Sequence, residues 1–333
     1  MKVLLTGPFG NVGQSTLNEL LKRHYDIRVF EFKNRKNQRI AYKYKNKIDI
    51  IWGDIRNVKD IEKAVYGCEV IIHVAAIIPP LAYIKPRLAE SVNVKGTFNV
   101  ITAMKKQLKK PKLIFTSSVA IYGDRIDNPL ILPTDPINPN RDDEYAKQKV
   151  VCEEMIRKSG LKWVICRLTY IVSSNKLQLD PLMFKMPLDT CIEICDTKDV
   201  GYALANAVEN DDICGETLHI AGGESCRISY GEYLKEMLDI FGMGDKSLPV
   251  EAFSTRGFHC GFMATDKSQY HLKYQRHTID DYFNEVRKKV SISRLFMALV
   301  RPFAKKYILN KSKYYKEYIN TLNTPRIRIN FKK

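Results

Sequence analysis

Nowhere in the 333 residues do about 18 uncharged apolar residues run together, so no segment has the length to cross a bilayer as a helix. The N-terminus, MKVLLTGPFGNVG, meets a glycine loop before any signal-peptide apolar region can develop. A cytoplasmic protein is therefore expected, soluble or membrane-peripheral and without a Sec signal. The eight cysteines, at 68, 152, 166, 191, 195, 214, 226 and 260, include no Cys-x-x-Cys and no matching His spacing. Reduced thiols are expected, with no disulfide frame, no zinc site and no other metal. Internal repeats and low-complexity segments are also missing, and a hydrophobic content of 45% excludes disorder and provides for a real core. Acidic residues are scarce at the far end. Residues 285–333 hold 14 basic and 2 acidic side chains, so they supply +12 of the net +17. A second basic cluster runs from Lys22 to Lys47, where ten Lys or Arg stand against Asp26 and Glu31. Such an excess favours anionic partners, but no recognisable nucleic-acid module accompanies it, so no nucleic acid is expected.

What is present is an alternation of short β-branched runs with longer amphipathic stretches over the first 170 residues, the pattern of β-α-β units feeding a parallel sheet. Lys2–Thr6, Ile27–Glu31, Val70–Val74, Leu113–Ser117 and Trp163–Leu168 read as strands. Val12–Arg23, Val58–Tyr66, Arg87–Lys106 and Asp142–Ser159 read as helices. Strands apolar on both faces need helices on both sides, which makes a doubly wound α/β Rossmann sheet the expected fold. Beyond residue 170 the alternation fades. A helix behind Asp199 as N-cap, a strand over Gly215–Ala221, a helix over Tyr230–Phe241 and a closing helix over Ile279–Lys289 follow. The expected organisation is a dinucleotide-binding core at 1–170, a small substrate lobe interleaved with it at 171–290, and a basic helical tail at 291–333.

Thr6-Gly7-Pro8-Phe9-Gly10-Asn11-Val12-Gly13 lies directly between the first strand and the first helix. Gly7 suits the tight turn, Gly10 lets backbone approach a pyrophosphate, and Gly13 lets helix pack on strand while the helix amides face the anion. At the end of the second strand, 18 residues on, Glu31 is placed to accept hydrogen bonds from an adenosine ribose, which argues for NAD. Lys33 and Arg35 follow at once, where they could instead grip a 2′-phosphate, so NAD is the expected cofactor and NADP stays open. Tyr145 and Lys149 lie one helical turn apart, an arrangement in which the ammonium lowers the phenol pKa and the phenolate accepts a hydroxyl proton.

The spacing Gly-x-x-Gly-x-x-Gly resembles the extended short-chain dehydrogenase/reductase family, of the NAD-dependent epimerase/dehydratase type. The resemblance continues in order through Gly53-Asp54-Ile55-Arg56, His73-Val74-Ala75-Ala76, Asn93–Asn99, Phe115–Gly123 and Tyr145-Ala146-Lys147-Gln148-Lys149, over roughly residues 1 to 285. It implies Ser118, Tyr145 and Lys149 as the catalytic set, with Thr116 and Ser117 as alternative hydroxyls and Lys149 also holding the nicotinamide ribose. It implies that Asp54 reaches the adenine with the Ile55 amide beside it, and that the backbone of Val74, Ala75 and Ala76 lines the cofactor. His73 reads as a packed strand-end residue and Asn93 as a backbone tie. The expected activity is epimerase/dehydratase chemistry on a nucleotide sugar or related hydroxylated substrate; the alternative is a net NAD(P)-dependent reductase or dehydrogenase of a ketone or alcohol. Ser173-Ser174 stands where many epimerases continue with Gly-Pro, and only 32 residues separate Arg167 from Asp199, so no diphosphate clamp is evident.

The tail lies past this resemblance. Ile292, Leu295, Phe296, Leu299, Val300, Phe303 and Tyr307 recur at three- and four-residue steps among Arg294, Arg301, Lys305 and Lys306. That is the composition of a helix lying in a membrane interface; the alternative is that the stripe packs on the enzyme body or on a second subunit. Pro302 is expected to kink or divide it. The expected partners are thus a small-molecule substrate and a second copy in a homodimer, with an anionic membrane as one of the two readings of the tail.

Overall fold

The computed structural model describes residues 1–177, 180–244 and 248–323, with the side chains of Pro181, Leu295, Ala298 and Asn323 left out. Leu295 of the tail stripe and residues 324–333 thus fall outside the described residues. The strands are β1 Lys2–Thr6, β2 Asp26–Glu31, β3 Asp49–Trp52, β4 Val70–His73, β5 Lys112–Ser118, β6 Leu130–Ile131, β7 Trp163–Leu168, β8 Tyr170–Val172, β9 Cys191–Asp196, β10 Thr217–Ile220, β11 Arg227–Ser229 and β12 Phe262–Met263. The helices are α1 Asn11–Lys22, α2 Arg35–Tyr42, α3 Val58–Val65, α4 Leu81–Ile84, α5 Pro86–Glu90, α6 Gly96–Lys105, α7 Glu144–Arg157, α8 Thr197–Asn206, α9 Tyr230–Ile240, α10 Asp266–Leu272, α11 Ile279–Leu309 and α12 Lys313–Asn323.

Seven strands form one parallel sheet in the order β10-β7-β5-β4-β1-β2-β3. Its central strands are buried on both faces, from Val3-Leu4-Leu5 in β1 to Val70-Ile71-Ile72 in β4. Two apolar layers follow. One packs Leu17 and Leu20 of α1 with Val200 and Leu204 of α8, and the other packs Ile61 of α3, Val100 of α6 and Ile156 of α7. The chain winds outward from β1 through β2 to β3 and the other way from β4 through β5, β7 and β10, so the order reverses between β1 and β4. In such sheets the crevice beyond the strand C-termini at that reversal is where ligands sit.

The second lobe has its own core. The sheet β11-β9-β8 and helices α9 and α11 enclose Phe184, Ile192, Ile194, Tyr233, Phe253, Tyr282, Phe283 and Val286. It is tied to the main body by Glu193, fully buried on β9, which accepts hydrogen bonds from the Gly223 and Met263 amides and pairs with Arg227.

The helix expected over Arg87–Lys106 is present, continuous from Pro86 to Lys105, with a π-helical turn at Ser91–Lys95 between α5 and α6. Other expectations need correction. The N-cap of α8 is Asp196, which accepts from the Lys198 amide, and Asp199 lies inside the helix, buried, accepting from the amides of Arg276 and His277. The closing helix does not stop at Lys289. It runs unbroken through Pro302 to Leu309, because Met297, Ala304, Ile308 and Leu309 on both sides of the proline pack into the second core; that packing outweighs one lost backbone bond. The sequence pattern does not mark β3, β8, β9, β11 or α2.

Among the described residues no helix is long and apolar enough to cross a membrane. The two helices α1 and α8 touch at backbone: a Cβ on Gly201 would lie 2.6 Å from the Ser15 carbonyl carbon. Gly201→Val should therefore lower the unfolding free energy by about 1–3 kcal/mol, as overpacking does. Urea unfolding measures this, and an unchanged midpoint would mean that the two helices are not in such close contact.

Candidate active site

The loop between β1 and α1 divides its work among three glycines. Gly7, at φ +68°, turns the chain where a Cβ would lie 2.8 Å from the Ala75 Cα. At Gly13 a Cβ would meet the Gly7 carbonyl oxygen at 2.0 Å, so the first turn of α1 presses on the loop itself. Gly10 differs. It is the N-cap of α1, and a Cβ there would meet nothing nearer than the Gly7 oxygen at 3.5 Å, because it faces an open cleft. No side chain caps α1 and no acid stands in its first turn, so the amides of Asn11, Val12 and Gly13 remain available to an anion. The Phe9 ring turns away into the core against Tyr44 and Trp52 and leaves only its backbone at the cleft.

The cleft is a cavity of ≈ 1550 Å³ that begins at this loop and extends into the second lobe. Glu31, at the C-terminal end of β2, lines it together with Asp54, Ile55, Val74, Ala75 and Ala76. Burial pushes the Glu31 carboxyl up, while the Phe32 amide donates to it at 2.9 Å. Lys33 and Arg35 are exposed and lie off the cavity wall, where Lys36 and Asn37 of α2 stand instead. The Asp54 carboxylate is held below its usual range by Arg56, whose Nε donates to it at 2.9 Å. Ile55 is buried and its carbonyl accepts from Asn99 Nδ2 at 2.9 Å. His73 is packed between Thr6 and Thr97, and burial, then the charge of Lys149, pull it down to about 3. Asn93 bridges both the amide and the carbonyl of Ile77.

Ser118, Tyr145 and Lys149 come together at the cavity floor. Ser118 ends β5 and Tyr145 and Lys149 sit on one face of α7, whose N-cap Asp143 accepts from the Ala146 amide at 2.9 Å. Burial pushes the Tyr145 phenol well above its usual range, and its hydrogen bond with Ser118 works the other way. The Lys149 ammonium does not reach the phenol here: it donates to the Thr116 carbonyl at 2.7 Å and stands 4.7 Å from the Phe115 ring centre. Thr116 Oγ1 is turned to the His73 carbonyl and Ser117 is buried, which leaves Ser118 as the hydroxyl beside the phenol.

The sequence reading missed a second polar group on the wall. His259 Nδ1 lies 2.9 Å from Asp143 Oδ2. Against burial, which would raise it, this contact holds the Asp143 carboxyl low. At 116 positions apart in the chain, the pair is announced by no local pattern. The rest of the second-lobe half is largely apolar and aromatic, with Tyr170, Tyr233, Tyr282, Met183, Met237 and Met297 among its lining beside Ser173, Lys176 and Asp180.

Residues 4–164 match the model of the 3-beta hydroxysteroid dehydrogenase/isomerase family. Among curated proteins, a putative UDP-glucose 4-epimerase of Methanocaldococcus jannaschii is 31% identical over 185 residues, 52% of this chain and 57% of that protein. A 3beta-hydroxysteroid-dehydrogenase/decarboxylase of Arabidopsis thaliana is 26% identical over 228 residues, 62% of this chain and 51% of that protein. The chain thus spans about half the length of the curated relatives it matches. A UDP-glucuronic acid 4-epimerase from Bacillus cereus, solved with UDP-glucuronic acid and NAD, superposes with a TM-score of 0.74 at 20% identity, over 87% of this chain and 99% of that one. A dTDP-glucose 4,6-dehydratase from Streptomyces venezuelae gives 0.73 at 20% identity, over 89% and 98%.

Burial pulls Lys149 from its ordinary 10.5 down to about 8, so folding disfavours its charge. Below about pH 8 that penalty is complete; above pH 10.5 the amine is neutral in both states and the penalty is gone. The stability of the wild type relative to Lys149→Met should therefore rise between those limits. Urea unfolding of both proteins near each limit measures it, and a pH-independent difference would contradict the burial of a charged amine.

Proposed function

We propose that the chain is a member of the extended short-chain dehydrogenase/reductase family and an NAD-dependent enzyme of the epimerase/dehydratase type. The observation that carries this reading is one continuous cavity with the uncapped N-terminus of α1 at one end and Ser118, Tyr145 and Lys149 on its floor. The cradle fits a dinucleotide: Gly10 offers the space that any larger residue would fill, and the free amides of α1 suit its pyrophosphate. Glu31 serves the adenosine ribose and Asp54 the adenine. Lys33 and Arg35 stand off the wall, and Lys36 and Arg56 are the lining cations of the cofactor half able to favour a 2′-phosphate.

Bound nicotinamide supplies a hydride acceptor at the carbon that carries the substrate hydroxyl. Tyr145 takes the hydroxyl proton as the C–H pair leaves, so that carbon becomes a carbonyl, and Ser118 holds the oxygen by a hydrogen bond. Lys149 keeps positive charge beside the phenolate and holds the nicotinamide ribose. Return of the hydride to the opposite face of that carbonyl would give epimerisation, and loss of water next to the carbonyl followed by return of the hydride to the resulting alkene carbon would give dehydration, neither with net redox change. The substrate of this reading is a nucleotide sugar or a related hydroxylated molecule. A second reading, a net reductase or dehydrogenase of a ketone or alcohol, is favoured by the apolar lining of the substrate half. Exposed Phe98 on α6 and Val151 on α7 support a homodimer through that face, and exposed Leu299 and Phe303 with the tail cations support a peripheral membrane contact.

Gly10→Val should fold, since its side chain meets only the cavity, and should lose NAD binding. Isothermal titration with NAD checks this; unchanged affinity would remove the loop from the cofactor site. Tyr145→Phe should keep NAD affinity and lose roughly 100-fold or more in turnover, the usual worth of a positioned acid or base. Following reduced nicotinamide by absorbance separates the two readings, since only a net dehydrogenase or reductase accumulates or consumes it.

A further inference from the structure

The long helix α11 has two apolar faces, and only one of them is covered. Met297, Ala304 and Ile308 turn inward and line the catalytic cavity. About a third of a turn away, at 3.6 residues per turn, Ile292, Phe296, Leu299 and Phe303 are exposed at 74%, 65%, 80% and 78%. Tyr307 joins the two faces: it lines the cavity and is itself 62% exposed. Between Glu285 and Glu317 the chain carries ten Lys or Arg and no acid. Arg294 and Arg301 fix the helix to the end of α9, through Asp239 and the Gly242 carbonyl, while Lys306 and Lys311 stay exposed. An exposed Phe/Leu stripe set among unopposed cations matches the interface of an anionic bilayer, with rings at the acyl boundary and lysines at the headgroups.

The cavity behind that helix is chemically uneven. Its cofactor half carries Lys36, Arg56, Glu31 and Asp54, whereas among the described residues of the other half Lys176 is the one lining side chain with a fixed positive charge. A second diphosphate would find no paired cations there. Methionines and tyrosines fill the space between α9 and α11 up to the rim at Tyr307.

We propose that the substrate is a membrane amphiphile, a hydroxylated head on an apolar chain, which enters past Tyr307 from a bilayer on which α11 rests. The head then meets Ser118 and Tyr145 while the chain lies among Met237, Met297 and Tyr233. This rests on the redox reading of the cavity floor and adds the class of molecule that reaches it.

Two measurements on the full chain test this. In the first, the wild type should sediment with phosphatidylcholine vesicles that contain phosphatidylglycerol, less so as salt rises and not with phosphatidylcholine alone. Leu299→Asp together with Phe303→Asp should abolish this with NAD affinity unchanged, since neither residue lines the cavity. In the second, NAD is titrated first, and octyl, decyl and dodecyl glucoside, below their micelle thresholds, and UDP-glucose are titrated into the NAD-loaded protein. Affinity should climb roughly 10- to 100-fold from octyl to dodecyl as methylenes are buried, with UDP-glucose weaker than dodecyl glucoside. Tighter UDP-glucose, or no dependence on chain length, overturns the amphiphile. Vesicle binding that survives the double substitution overturns the role of α11, as does a dimer in sedimentation that the substitution dissociates in place of vesicle binding. Absence of NAD binding in the first titration is a separate result and sinks the redox reading itself.

Discussion

The proposed function depends on the N-terminus of α1, left without a side-chain cap where the strand order reverses, a place that suits an anion through backbone alone. Helix amides near the switch point carry partial positive charge, and the usual ways of satisfying them are absent: Gly10 has no side chain to cap them and the first turn holds no acid. Keeping that end open requires the loop to fold back tightly, which is why Gly7 and Gly13 tolerate no Cβ while Gly10 has room for one. The requirement extends to the opposite strand, because Gly7 rests against the Ala75 backbone and the Ala75 amide donates to Thr6 Oγ1 at 3.2 Å.

The second constraint is burial of charge. Lys149 is 3% exposed and Tyr145 is 8% exposed, so both groups depend on a fixed polar frame. One turn beyond Lys149, Glu153 pairs with Arg167 of β7 at 2.7 Å in the interior, and Arg167 also donates to Tyr122, whose hydroxyl lies 2.7 Å from His219 Nε2. This network pins α7 to β7. A fully paired buried set of this kind offers little net stability but fixes one geometry. The Lys149 ammonium is thereby held at the Thr116 carbonyl, 5.9 Å from the centre of the Tyr145 ring.

The parallel sheet, the glycine loop and the Ser118, Tyr145 and Lys149 set were legible because each is a local pattern: apolar runs of strand length, three glycines at fixed spacing, two residues four apart on a helix. What stayed hidden depends on contacts far apart in the chain. His259 meets Asp143 across 116 residues, and the aromatic lining is assembled from β8, α9 and α11. Asp199 looked like a cap because it precedes an apolar period, but Asp196 three residues earlier takes that place and Asp199 is used inside to hold residues 276 and 277. Lys33 and Arg35 were phosphate ligands by spacing alone; in the fold both stand off the cavity wall, and the neighbouring Lys36 of α2 lines it. Pro302 argued for a break in a helix that packing on either side carries through.

The central claim is that the amides of α1 and the floor residues Tyr145 and Lys149 serve the two ends of one dinucleotide. Reduced NAD bound in this cleft should accept excitation energy from the protein's tryptophans, and Trp52 stands beside the loop in contact with Phe9. Titrating reduced NAD while exciting tryptophan should give sensitised nicotinamide emission that saturates at one molecule per chain. Emission that grows in proportion to added nucleotide without saturating would contradict the account.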